Sequence, residues 1–180
     1  MGFLKMSEQN KKRLLIGVIS DTHIPSKTES IPQEIIDDFK AKEVDYVFHL
    51  GDFTTLDVYN QLTSIFSEDK VVGISGNMDS SEIKERLLPI WELELLGHNI
   101  FMTHGSGGPH RVIKRLNTHY DLRPYDIIIF GHLHKPINQK KGDKYYFNPG
   151  SPTEKRFTDI NSYGFLVLSE DRVDFQIIRM

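Results

Sequence analysis

An α/β layered fold, with one mixed sheet or two packed sheets and helices outside, is what this 180-residue sequence predicts. Three observations carry the prediction. Short β-branched apolar runs recur through the first 130 residues, amphipathic stretches separate them, and the last third changes to alternating segments joined by tight turns.

Taken in order, a strand is expected at 14–19 (LLIGVI), a helix at about 32–41, a strand at 45–50 (DYVFHL) and a helix at 55–67. A strand at 70–74 (KVVGI) and a helix at 80–87 come next. WELELLGHNIFMTHG then reads as a hairpin turning at Gly97 to Asn99, with 100–103 (IFMT) in its second arm. A helix at 108–119 leads into the strand 126–130 (DIIIF). The runs are short, bounded by turn residues and without a polar alternate face, as buried strands are. Two further hairpins close the chain, one turning at Gly142-Asp143 and one at Glu170-Asp171. No repeat or linker interrupts the pattern, so residues 14–180 read as a single domain after a polar tail at 1–13.

Composition removes several functions. Apolar residues make up 38% and aromatics 11%, enough for a real core. A formal charge of -3, with Lys and Arg scattered singly, argues against polymeric nucleic acid as a partner. The chain has no cysteine, so disulfides, thiolate zinc sites and cysteine nucleophiles are excluded and any metal must be held by nitrogen and oxygen. The polar start has no signal-peptide core, and Met6 occupies the position where a myristoylation motif needs Ser or Thr. No run approaches the roughly 18 apolar residues of a membrane span. A cytoplasmic protein with no membrane partner is expected, and its oligomeric state, a homo-oligomer included, is left open.

The residues just past each buried run carry the chemistry. After 14–19 come Asp21 and His23; after 45–50, Asp52; after 70–74, Asn77; after 100–103, His104; after 126–130, His132 and His134. The carboxyl ends of strands in α/β sheets face the crevice where ligands bind, so these five ends can converge on one cavity. Residues two apart in an extended segment project to one side, which pairs Asp21 with His23 and His132 with His134. Gly51, Gly76 and Gly131 each precede a ligand and let bare backbone approach a crowded center. Imidazoles, carboxylates and an amide suit Mn, Fe, Zn or Ni better than Ca or Mg. Seven residues exceed one tetrahedral site but suffice for two metals about 3.5 to 4 Å apart, with Asp52 as the bridge.

At these residues the chain resembles the calcineurin-like metallophosphoesterases: DxH at Asp21 to His23, GD at Gly51-Asp52, GN at Gly76-Asn77, a lone His104 before Gly105, and GHxH at Gly131 to His134. The likeness runs from about residue 14 to the end. Size and the Asn148-Pro149-Gly150-Ser151 stretch are similar to the small bacterial and archaeal phosphodiesterase branch, whose fold a retromer scaffold subunit shares. The resemblance implies a four-layer α-β-β-α sandwich of two mixed sheets flanked by helices. It also implies one divalent metal on Asp21, His23, Asp52 and His134, and another on Asp52, Asn77, His104 and His132. Asp52, Asn77 and His104 would then serve catalysis as well. The implied reaction is hydrolysis of a small phosphate ester, a diester first and a monoester as the alternative, by in-line attack of a hydroxide bridging two cations.

Two positions depart from the family pattern. Met78 stands where the phosphoprotein phosphatases carry a proton-donating histidine, and Ser106 where the small branch often has a second histidine. Diesters with good leaving groups need least help from an acid, which favors a phosphodiesterase. Plainer roles are expected elsewhere. Asp79-Ser80-Ser81-Glu82 has the capping-box pattern of a helix start, which outweighs an acid role for Asp79. His49 reads as a hydrogen-bonded core or supporting histidine. His98, in a hairpin turn, and His110 and His119, on a helix face, read as surface residues, as do Lys155 and Arg156. No P-loop, dinucleotide fingerprint or nucleophile elbow is present.

Overall fold

The structure, a computed structural model, describes residues 11–180. Ten strands and four helices form two mixed five-stranded sheets packed face to face, with helices on both outer surfaces. Strands β1 (Arg13–Ile19), β2 (Tyr46–His49) and β3 (Val71–Gly73) run parallel, and β9 (Ser162–Ser169) and β10 (Arg172–Arg179) extend their sheet antiparallel in the order β10-β9-β1-β2-β3. The second sheet contains β4 (Ile90–Leu95), β5 (His98–Thr103), β6 (Ile127–Phe130), β7 (Ile137–Lys141) and β8 (Lys144–Asn148), ordered β4-β5-β6-β8-β7. Here β5, β6 and β8 are parallel, and the hairpin partners β4 and β7 antiparallel.

Side-chain alternation builds the layers. Leu14, Ile16 and Val18 of β1 point between the sheets, where they meet Ile127 and Ile129 of β6. Ile128 and Phe130 point outward, beneath Val112 and Leu116 of helix α4 (Val112–His119). Both faces of such a strand are buried, which is why its sequence shows no polar alternation. Helices α1 (Gln33–Ala41) and α2 (Leu56–Phe66), with Ile83 of α3 (Ser81–Arg86), cover the outside of the first sheet. Gly17 is the thin point of LLIGVI because a Cβ there would lie 2.6 Å from the Phe39 ring. The four-layer sandwich is therefore present. No helix among the described residues is long and apolar enough to cross a membrane.

Several local expectations need correction. The expected tail at 1–13 lies largely outside the described residues, as does Met6, and its last residue belongs to β1: Arg13 pairs with Ser169, while Lys11 forms an ion pair with Asp45. The hairpin turns at Leu96-Gly97, which puts His98 in β5 facing Leu95, with Nε2 2.9 Å from the Ser169 carbonyl. Helix α4 starts at 112, not 108. Arg115 donates to the carbonyls of Ser106, Gly108 and His110 and holds 106–110 as a loop, so His110 precedes the helix and only His119 lies on it. The cap of α3 is Ser80, whose hydroxyl accepts from Ile83 N, and not Asp79.

Candidate metal centre

All seven expected ligands lie at the same end of the two sheets, in the loops that leave β1, β2, β3, β5 and β6. The loops are tied to each other directly: Asp21 N donates to Gly51 O at 3.0 Å, His23 N to Asp52 O at 3.0 Å, and Gly131 N to His104 O at 3.2 Å. Asp21, His23, Asp52, His132 and His134 all take left-handed backbone, with φ between 47° and 69°. Pairing within Asp21/His23 and His132/His134 therefore does not come from extended chain, as the sequence suggested. These are tight turns that cost about 1 kcal/mol or more per residue and persist because their surroundings hold them. Glycine is required beside them. A Cβ on Gly76 would overlap the Asp52 carboxylate, and one on Gly131 would overlap the Ser20 hydroxyl.

The side chains form two groups, Asp21 with His23 and His134, and Asp52 with His104 and His132, whose ligand atoms lie within 4.8 Å of one another in each group. The groups adjoin. His23 Nε2 is 4.0 Å from Asp21 Oδ1 and 3.7 Å from Asp52 Oδ2, and His104 Nε2 is 3.9 Å from Asp21 Oδ1 and 3.3 Å from Asp52 Oδ2. His134 Nε2 lies 3.4 Å from Asp21 Oδ1, and the Asn77 side-chain oxygen 2.8 Å from His132 Nδ1. Divalent cations fit this donor set on three grounds. Asp21 and Asp52 are buried with no Lys or Arg paired to either among the described residues. His104 Nε2 is buried without a hydrogen-bond partner and directed at a carboxylate. His104 Nδ1 donates to Leu50 O at 2.6 Å, the arrangement that frees Nε2 to ligate.

The family profile described as the calcineurin-like phosphoesterase superfamily domain matches residues 14–171. This chain belongs to that superfamily. A probable metallophosphoesterase of Methanothermobacter thermautotrophicus is 34% identical over 167 residues, 92% of each chain. Phosphodiesterase YfcE of Escherichia coli is 36% identical over 104 residues, 54% of this chain and 52% of that one. Among solved structures, a Thermotoga maritima protein is 35% identical with a TM-score of 0.70, covering 93% of this chain and 99% of its own. Vacuolar protein sorting 29 of Cryptosporidium parvum, 19% identical with a TM-score of 0.72 over 94% and 99% of the chains, shares the fold. Calcineurin-like phosphoesterases use divalent metals, and this one presents two groups of residues able to hold them.

Two residues that support this candidate site, Asp79 and Ser20, were misread or passed over in the sequence. Asp79, expected as a cap, is buried and accepts from Asp52 N at 3.0 Å, Thr54 N at 2.8 Å and Gly76 N at 2.6 Å. It clamps the GD loop to the GN loop. Its spacing three residues after Gly76 was the available signal, since an Asx side chain readily accepts from nearby backbone. Ser20 donates to Asp21 Oδ2 at 2.6 Å and had no sequence signal at all. Ser151 Oγ donates to Asp21 O at 2.7 Å, and Asn148 Nδ2 to Gly131 O at 2.6 Å, so the Pro-Gly turn braces the ligand loops. His49 is the supporting histidine expected: buried, stacked on Phe53 at 3.5 Å and 3.1 Å from Thr22 Oγ1.

Two of these histidines give the metal-free protein opposite responses to pH. Burial holds the His49 pKa down to about 3 from an ordinary 6.5. Between those values the unfolded chain takes up a proton that the folded protein refuses, so this stability is whole above pH 6.5 and is lost as pH falls. Burial alone would lower His104 too, but the Asp52 and Asp21 carboxylates outweigh it and lift it to about 9. Its contribution is whole below pH 6.5 and is lost as pH rises through 9. On the acid side His23 and His132, lowered by burial, act like His49. Stripped of metal, the protein is expected to show its highest urea midpoint near pH 6.5 and lower ones at 5 and 8.5. Manganese should abolish the alkaline fall, because a ligating imidazole is already neutral. Equal metal-free midpoints at 6.5 and 8.5 would contradict the charged state of His104.

Proposed function

We propose that this protein is a two-metal phosphodiesterase acting on small phosphate esters. The observation that carries the reading is the pair of adjoining ligand groups around Asp21 and Asp52, two buried carboxylates with imidazoles around them and no cationic side chain paired to either among the described residues. Asp21, His23, Asp52 and His134 would hold one cation, and Asp52, Asn77, His104 and His132 the other, with manganese the favored ion. Divalent cations so placed supply Lewis acidity to phosphate oxygens and bring the pKa of a water toward neutrality. The protein's own part is position and exclusion. Leu50 O fixes the His104 ring, His132 N donates to Asp21 Oδ2 at 2.9 Å, and Met78 N donates to Asp52 Oδ1 at 2.8 Å.

Diesters are favored over monoesters because neither residue after Asn77, Met78 or Asp79, has a proton free to give a leaving group. Met78 is 60% exposed and has no acidic proton, and both Asp79 oxygens are engaged by backbone N–H groups. Relatives named as phosphodiesterases support the same choice. A scaffold that had lost the chemistry would show gaps in the ligand set, and all seven positions are filled. Purified protein with added manganese should hydrolyze bis(p-nitrophenyl) phosphate faster than p-nitrophenyl phosphate and stop on chelation. Turnover of neither ester, with two metals bound, would defeat the enzyme reading; faster turnover of the monoester would make it a phosphomonoesterase.

A further inference from the structure

One cavity of about 510 Å³ opens directly onto Asn77 and His104. That volume is in the range of small-molecule sites. Pro89, Ile90 and Tyr120 line it as well, with the exposed Lys84. The Tyr120 hydroxyl is 3.2 Å from Thr103 Oγ1 and its half-buried ring packs 5.0 Å from Phe101, so the tyrosine is held in place as part of the lining. Lys84, on exposed α3, donates to the Asn77 carbonyl at 3.1 Å. An ammonium has three N–H donors, so two remain for a ligand. Other cations nearby are engaged elsewhere: Arg86 lies 3.5 Å from Glu68 and over the Tyr59 ring, and Arg115 is bound to three loop carbonyls.

We propose that this cavity receives the departing alcohol of the diester, an apolar or aromatic one, and that the Lys84 ammonium stabilises the alkoxide as it leaves. The proposal rests on the phosphodiesterase reading. As the oxygen of water bonds to phosphorus, the ester P–O bond breaks and its electron pair stays on the alcohol oxygen. That charge is taken up by a hydrogen bond from Lys84 until solvent supplies the proton. Lys84 thereby fills the gap left at Met78 by charge and not by proton transfer, so arginine should serve in its place.

The test uses the metal-loaded full chain and methyl aryl phosphodiesters that differ only in the leaving phenol. Lys84→Ala is expected to act within about threefold of the parent on the p-nitrophenyl ester and to lose about 10- to 100-fold in kcat on the phenyl ester, the range of one charge-assisted hydrogen bond. KM should hardly move, and Lys84→Arg should recover most of the loss. Ile90→Phe, which fills the wall, should raise KM for a 1-naphthyl ester about tenfold and leave the phenyl ester little changed. A uniform loss across the phenols, no loss, or equal KM effects on both ring sizes would overturn the assignment while the enzyme reading stood. A parent protein without metal-dependent turnover of any diester would overturn both.

Discussion

Asp52→Asn is expected to keep the fold and to lose metal-dependent turnover by about 1,000-fold or more, beyond the 10- to 100-fold typical of residues that merely support a ligand. The backbone should tolerate the change well. Asp52 has φ 56°, and asparagine is enriched in left-handed backbone. The amide oxygen can still accept from Met78 N, as Asp52 Oδ1 now does at 2.8 Å. What is lost is the second oxygen, 3.3 Å from His104 Nε2 and 3.7 Å from His23 Nε2. An NH₂ group there is a donor facing ring nitrogens, and it cannot share a cation between the two groups. Calorimetric titration with manganese should fall from two ions per chain to one, with circular dichroism unchanged. Full activity or two tightly bound ions in the variant would rule out the bridging role.

Asp79→Ala should be the most destabilising polar substitution in the site, although Asp79 is not one of the expected metal ligands. It leaves two buried backbone donors, Asp52 N and Gly76 N, and the half-buried Thr54 N without an acceptor. At roughly 1 to 3 kcal/mol for each of the two buried unsatisfied groups, about 2 to 6 kcal/mol is lost. That is a large share of a typical total of about 5–15 kcal/mol. Asp79→Asn should fall between the two, since one amide oxygen can keep the Asp52 and Gly76 N–H groups that now share Oδ2, while its NH₂ group opposes Thr54 N. Loss of a helix cap would cost only about 1 kcal/mol. Urea melts of the metal-free variants separate the accounts: the order parent, Asn, Ala with a multi-kcal/mol span supports the clamp, and a uniform loss of about 1 kcal/mol would restore the capping role.

Much of the architecture was legible locally. The runs 45–50, 70–74 and 126–130 contain the strands found there, and 14–19 misses only Arg13 of β1, because β-branched residues and flanking turns are short-range signals. Boundaries failed where a side chain captured loop carbonyls, as when Arg115 held residues 106–110 out of α4. Leu96-Gly97 replaced Gly97 to Asn99 as the turn because pairing of Leu95 with His98 sets the register.

By itself the sequence determined the donor chemistry: which nitrogen and oxygen groups exist, that no thiolate can ligate, and that each donor comes after a buried strand. Only the tertiary structure decided how the donors divide, because that depends on contacts such as His132 N to Asp21 Oδ2, made by residues 111 positions apart. Strand character is encoded within a few neighbors. Convergence of five loops, the left-handed turns that aim their side chains and the clamp at Asp79 arise from sheet order and register, which no single segment contains.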